Sequence, residues 1–162
     1  MLGSDVLLCF IFYSTLLILK MYIIAIFTGQ VRLRKRKSAY ILQLSGLTSE
    51  IKAFANPEDA DRHGGVQFCR TDPYVERCRR AHVNDMENIL PFLFLGAVYS
   101  MTGPSYAVAR LHFLVFFLGR VLHSIAYLLA LKAPTRSFAY VIAQVPCVSM
   151  AIQILMEVAS FA

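Results

Sequence analysis

Charge is scarce in this chain: Asp, Glu, Lys and Arg make up 16% of its 162 residues, where a soluble domain carries about a quarter. That shortage excludes a solvated surface on every side. The four cysteines, Cys9, Cys69, Cys78 and Cys147, include no Cys-x-x-Cys pair, and Cys9 and Cys147 fall within apolar runs. Neither a disulfide framework nor a zinc site is expected. The histidines, His63, His82, His112 and His123, form no metal-binding pair on one helix, so no metal is expected. Internal repeats and low-complexity tracts are missing as well. The formal net charge is +6, but the basic run Arg32-Leu33-Arg34-Lys35-Arg36-Lys37 abuts an apolar stretch without a nucleic-acid motif. It reads as membrane orientation and headgroup contact, with no nucleic-acid partner.

What the chain has is apolar length. Hydrophobic residues make up 57% of it, and they come in four blocks: Val6 to Phe27, Ile89 to Met101, Ala107 to Leu131 and Phe138 to Phe161. For the first, a retained span is expected rather than a cleaved signal peptide. It lacks a basic n-region, exceeds 20 residues, and ends Thr28-Gly29-Gln30-Val31-Arg32 without a small-residue cleavage site. The second is short: its 13 uncharged residues, polar only at Ser100, cover about 20 Å of the roughly 30 Å hydrocarbon core. For it to span, about two turns of the preceding Glu76-Arg77-Cys78-Arg79-Arg80-Ala81-His82-Val83-Asn84-Asp85-Met86-Glu87 segment must sit at membrane depth. The expectation is a single all-α transmembrane domain over residues 1–162, a four-helix bundle with spans near 6–29, 78–102, 107–131 and 137–160.

Basic residues orient the bundle. Of 16 Lys and Arg, 11 lie between Val31 and Arg80, and the Lys132-Ala133-Pro134-Thr135-Arg136 hairpin adds two. The Thr102-Gly103-Pro104-Ser105-Tyr106 connection has no charge. The positive-inside rule then makes the 32–74 connection and the 132–136 hairpin cytoplasmic, and both termini luminal or exterior.

Charges at membrane depth are costly and usually functional. On helices, Arg80, Asn84 and Glu87 fall at i, i+4 and i+7, Arg120, His123 and Tyr127 at i, i+3 and i+7, and Arg136, Tyr140 and Gln144 at i, i+4 and i+8. With the orientation above, all three sets lie toward the cytoplasmic ends of their spans. Each set has a plainer use. Arg77, Arg79 and Arg136 can snorkel, Tyr127 and Tyr140 can be belt aromatics, His123 can pack between helices, and Arg120 and Glu87 can tie spans together by a salt bridge. Their shared face and depth favour a site for a small zwitterionic ligand, and the chemistry suits an anionic thiol. Arginine beside a thiol favours the thiolate, Ser137 adds a hydrogen-bond donor, and Tyr140 flanks it.

Several stretches carry a family likeness: Lys20-Met21-Tyr22, Thr28-Gly29-Gln30-Val31-Arg32-Leu33-Arg34-Lys35, Ala53-Phe54-Ala55-Asn56-Pro57-Glu58-Asp59-Ala60, Arg62-His63-Gly64-Gly65, Asn84-Asp85-Met86-Glu87, Pro91-Phe92-Leu93-Phe94-Leu95-Gly96, Gly119-Arg120-Val121 and Arg136-Ser137. In these the sequence resembles the membrane-associated eicosanoid and glutathione metabolism (MAPEG) family over nearly its whole length. The resemblance implies a homotrimer of four-helix transmembrane bundles in the endoplasmic reticulum or perinuclear membrane. It implies glutathione bound between subunits near the cytoplasmic side, in contact with Arg32, Arg80, Asn84, Glu87, His123, Tyr127, Arg136, Ser137, Tyr140 and Gln144. The implied activity is glutathione-dependent isomerisation of the lipid endoperoxide prostaglandin H2 to prostaglandin E2, with Asp59, Arg136 and Ser137 as catalytic residues and functional coupling to an upstream cyclooxygenase. Glutathione transfer or peroxidase chemistry on other lipid electrophiles, and a non-catalytic lipid-binding scaffold, are the alternatives within the family.

Two departures stand out. Val83 occupies a position where prostaglandin-forming members carry a glutathione-contacting arginine, so weaker binding is expected. About 16 residues, near Arg36 to Ile51, are inserted where the family's basic segment leads almost directly to Lys52-Ala53-Phe54. Added loop length costs little closure entropy, so a tolerated loop is expected.

Overall fold

The computed structural model describes residues 4–45 and 72–161, without the side chains of 36–44 and 133. The expected catalytic Asp59 and residues 46–51 of the insertion lie outside the described residues. The described chain is helical throughout: α1 Asp5–Leu44, α2 Pro73–Met101, α3 Tyr106–Leu128 and α4 Ala133–Val158, closed by a 3-10 turn Ala159–Phe161. It divides into two compact units, Ile23–Arg80 and the remainder, Met1–Tyr22 with Ala81–Ala162.

In the Ile23–Arg80 unit, α1 continues to Leu44, so the connection expected from residue 32 begins as helix. The reason is local. No proline or glycine occurs between Val31 and Leu44, and Lys and Arg are good helix formers. The next glycine is Gly46. α2 starts at a well-formed cap. Asp72 precedes Pro73, whose fixed φ and missing N–H suit the first helical position. The Asp72 carboxylate accepts the amides of Tyr74 at 2.8 Å and Val75 at 3.1 Å, and the Lys35 ammonium lies 3.2 Å from its other oxygen. Partial burial pushes the Asp72 pKa up, yet those donors together hold it below the ordinary carboxylate value.

The larger unit has an aromatic core. Phe10, Tyr13, Leu17, Ile89, Phe92, Tyr99, Phe113, Phe116 and Met150 are buried together, and the Phe92 and Phe116 rings stack at 3.9 Å. Two glycines permit close helix approach. A Cβ on Gly119 of α3 would lie 3.0 Å from the Ala143 Cβ of α4, and one on Gly96 would lie 2.5 Å from the Phe10 ring. The α2–α3 turn uses Gly103 at φ 72°. After α3 the chain reverses through a Schellman turn, in which the Leu131 amide donates to the Ala126 carbonyl at 2.9 Å and the Ala130 amide to Tyr127 at 3.2 Å. Ala130 occupies its left-handed position at φ 57°, where glycine is usual.

Outward faces are apolar too: Phe94, Met101, Leu129, Phe138 and Leu155 are exposed. Three helical stretches, Asp5–Lys35, Tyr106–Leu128 and Pro134–Phe161, are long and apolar enough to cross a bilayer. α2 is not among them; its first four turns carry Glu76, Arg77, Arg79, Arg80, Asp85 and Glu87.

Candidate functional site

The charged lead-in to α2 finds its partners inside the larger unit. Ala81, Asp85, Ile89 and Phe92, at spacings of four, four and three, form the buried face of α2. Asp85 is therefore fully enclosed, and an enclosed carboxylate needs partners. It has three. Lys20 of α1 approaches Oδ2 at 2.6 Å, Arg120 of α3 donates to Oδ1 at 2.5 Å, and the Ser124 hydroxyl donates at 3.2 Å. Two cations and one carboxylate thus join three helices at one level. The interspan salt bridge considered for Arg120 is made with Asp85, and Glu87 has no ion pair or hydrogen bond among the described residues.

Polar links continue from this knot. Arg120 Nη2 also donates to the Asn84 side-chain oxygen at 2.9 Å. The Asn88 amide donates to the Asn84 backbone carbonyl at 2.7 Å, and Gln144 of α4 donates to Asn88 Oδ1 at 2.6 Å. This leaves the Asn84 amide nitrogen and the Gln144 amide oxygen uncommitted. Beside them, His123 is buried with Nδ1 unpartnered, as are Arg120 Nε and Nη1. The His123 ring lies 5.7 Å from the Tyr127 ring and 6.4 Å from that of Tyr140. The Arg136 guanidinium sits over the Tyr127 ring at 4.9 Å, a cation–π contact that ties α4 to α3.

The structure therefore gathers Asn84, His123, Tyr127, Arg136, Tyr140 and Gln144. Glu87, Ser137 and Tyr140 are exposed on the single chain, and Asn84, Tyr127, Arg136 and Gln144 are partly exposed. Arg32 and Arg80, also exposed, belong to the other unit. The face carrying Glu87, expected to be buried, is open in one chain because the core claims the Asp85 face. Sequence reasoning missed Lys20, Asp85, Asn88 and Ser124. The signal for Lys20 and Asp85 was charge arithmetic, since a lone lysine within an apolar run requires an enclosed counter-ion. Pro91, four residues after Glu87, also leaves the Glu87 carbonyl without its helical donor.

Long apolar helices around a buried ionic knot, with an open polar face beside it, define a multi-pass membrane protein. The sequence profile of the MAPEG family matches residues 10–156, and the chain belongs to that family. It is 59% identical to Prostaglandin E synthase of Bos taurus over 98% of this chain and 94% of the relative. It is 59% identical to Prostaglandin E synthase of Homo sapiens over 98% and 93%. Microsomal glutathione S-transferase 1 of Rattus norvegicus is 38% identical over 96% and 92%.

Proposed function

We propose that this chain is a glutathione-dependent prostaglandin E synthase that isomerises prostaglandin H2 to prostaglandin E2. The observation that carries the reading is near full-length identity of 59% to proteins of that name. The site chemistry supports it. Glutathione presents two carboxylates, one ammonium and a thiol. Arg80, Arg32 and Arg136 supply cations, Glu87 an anion, and Asn84 and Gln144 amide groups with hydrogen-bonding capacity to spare. The unpartnered Nδ1 of buried His123 is a further polar atom suited to a ligand. The residues present fit the group.

When bound, glutathione supplies a thiolate able to open the endoperoxide O–O bond, and it leaves unchanged. Arg136 and Ser137 favour that anion by charge and by a hydroxyl donor. Arg136 is already restrained by the Tyr127 ring, which reduces the reorganisation needed at reaction. Asp59 is assigned as the base that takes the carbon-bound proton as the ketone forms, while the other peroxide oxygen is protonated to a hydroxyl. The net change is an isomerisation. Val83, exposed beside Asn84, offers no charge to the cofactor, so weaker affinity than in a variant with arginine there is expected.

In this reading α2 is a fourth span whose charged turns face a neighbouring subunit. The chain forms a homotrimer in the endoplasmic reticulum or perinuclear membrane, with both termini luminal and the site near the cytoplasmic side. Exposure of Glu87, Ser137 and Tyr140 on one chain suits a ligand shared between copies. Coupling to an upstream cyclooxygenase belongs to the same reading. Glutathione transfer to other lipid electrophiles is the second reading, favoured by the 38% identity to the transferase. Purified protein given prostaglandin H2 with and without glutathione separates them. Prostaglandin E2 formed only with glutathione supports the synthase. Glutathione consumed into conjugates without prostaglandin E2 refutes it.

A further inference from the structure

At the far end of the larger unit from the Lys132–Arg136 hairpin, α1 and α3 begin side by side around an open cavity of ≈ 630 Å³. Asp5, Phe12, Tyr13, Tyr106 and Arg110 line it. That volume lies within the range of small-ligand sites, about 300–1,000 Å³. Asp5 and Arg110 share the cavity, yet neither has an ion pair or hydrogen bond through its side chain among the described residues. Asp5 opens one apolar stretch and Tyr106 opens another, and Arg110 lies one turn, about 6 Å, inside the second. The cavity is thus at the level where hydrocarbon gives way to headgroups. Snorkelling explains an isolated arginine at such a level, and a first-turn position suits Asp5 to its helix dipole, but neither accounts for opposite charges and two exposed rings, Phe12 and Tyr106, in the same recess.

We propose that this cavity binds the headgroup of a zwitterionic phospholipid, with phosphate at Arg110 and the quaternary ammonium at Asp5 and the Tyr106 ring. Each part of the headgroup meets a complementary group. Guanidinium pairs with phosphate through charge-assisted hydrogen bonds. A carboxylate and an aromatic ring lining one recess each attract a quaternary ammonium. The two protein charges make no ion pair with each other, so both are free to meet the ligand's two charges. None of these residues belongs to the glutathione-binding set, and the proposal is independent of the activity proposed above.

Native mass spectrometry of the full chain, released from micelles containing equal phosphatidylcholine and phosphatidylglycerol, tests the proposal. The unsubstituted protein should retain phosphatidylcholine severalfold over phosphatidylglycerol. Arg110→Gln should lower retained phosphatidylcholine about tenfold, the loss expected for one charge-assisted contact, and Arg110→Lys should restore part of it. Asp5→Asn should abolish the preference between the two lipids. Glutathione affinity of all three variants should be unchanged, which confirms their folding. Equal retention of both lipids by the unsubstituted protein would overturn the ammonium assignment. Retention unaffected by Arg110→Gln would show annular lipid only and overturn the site.

Discussion

Replacing Asp85 with alanine should destabilise the bundle by about 3–5 kcal/mol, the range for removing one partner of a buried ion pair. The basis is geometric. Asp85 is fully buried, and the Arg120 side chain, which it pairs with at 2.5 Å, has no exposure either. Arg120 cannot lose its proton within a protein, so the charge left behind cannot be neutralised. Lys20 is slightly exposed and approaches Asp85 at 2.6 Å. Lys20→Met should therefore cost clearly less, because Asp85 keeps Arg120 and Ser124. In the double variant, Lys20→Met with Asp85→Ala, one orphaned cation is removed along with the carboxylate. Its cost should fall below the sum of the single costs by about 1–3 kcal/mol, a coupling typical of neighbours in one network. Reversible unfolding in mixed micelles, followed by circular dichroism, measures all three. A loss under about 1 kcal/mol for Asp85→Ala, well short of the buried-pair range, or strictly additive single effects, would mean that the knot does not form.

Ala130→Gly should stabilise the protein by about 1 kcal/mol, as the left-handed position at φ 57° penalises a Cβ by roughly that much; the same unfolding assay reads it, and a loss of stability would show that the Schellman turn is not adopted. Asp72→Ala should cost about 0.5–2 kcal/mol of local helix stability through loss of the α2 cap, read as faster hydrogen exchange at the Tyr74 and Val75 amides. Because the folded Asp72 pKa is depressed, its contribution is complete above the unfolded value of about 3.9 and is lost as pH falls through the lower folded value. Exchange at these amides, corrected for intrinsic rates, should accelerate in that window for the natural chain and stay flat in Asp72→Ala. Glu87→Gln should weaken glutathione binding about tenfold, since a charged hydrogen bond contributes about 1.5–3 kcal/mol; unchanged affinity by calorimetry would remove Glu87 from the site.

Much of this architecture was legible because membranes impose simple length and charge rules. The apolar blocks from Val6, Ala107 and Phe138 became α1, α3 and α4, and the motif stretches pointed to the family that the profile match establishes. Helical spacing alone also paired His123 with Tyr127, whose rings lie 5.7 Å apart. The facing of α2 was harder to read. Asp85 and Glu87 are two residues apart and point to nearly opposite sides of a helix, and periodicity did not say which side the core would take. Asp85 went inward because Lys20 and Arg120, from two other helices, converge on it. Such a convergence depends on tertiary packing and leaves little trace in a local pattern. The end of α1 was missed for the opposite reason: a charged run reads as a loop by polarity, although its residues favour helix.

The central claim is that a thiol held beside Arg136 and Ser137 carries the isomerisation. Turnover of prostaglandin H2 by the purified chain should therefore be measured with glutathione, with S-methylglutathione, and with both together. Prostaglandin E2 with glutathione, background formation with S-methylglutathione, and competitive inhibition in the mixture are expected, because the methylated tripeptide keeps the carboxylates and ammonium that the proposed site would recognise. Equal prostaglandin E2 formation with either tripeptide, or formation without any tripeptide, would contradict the claim.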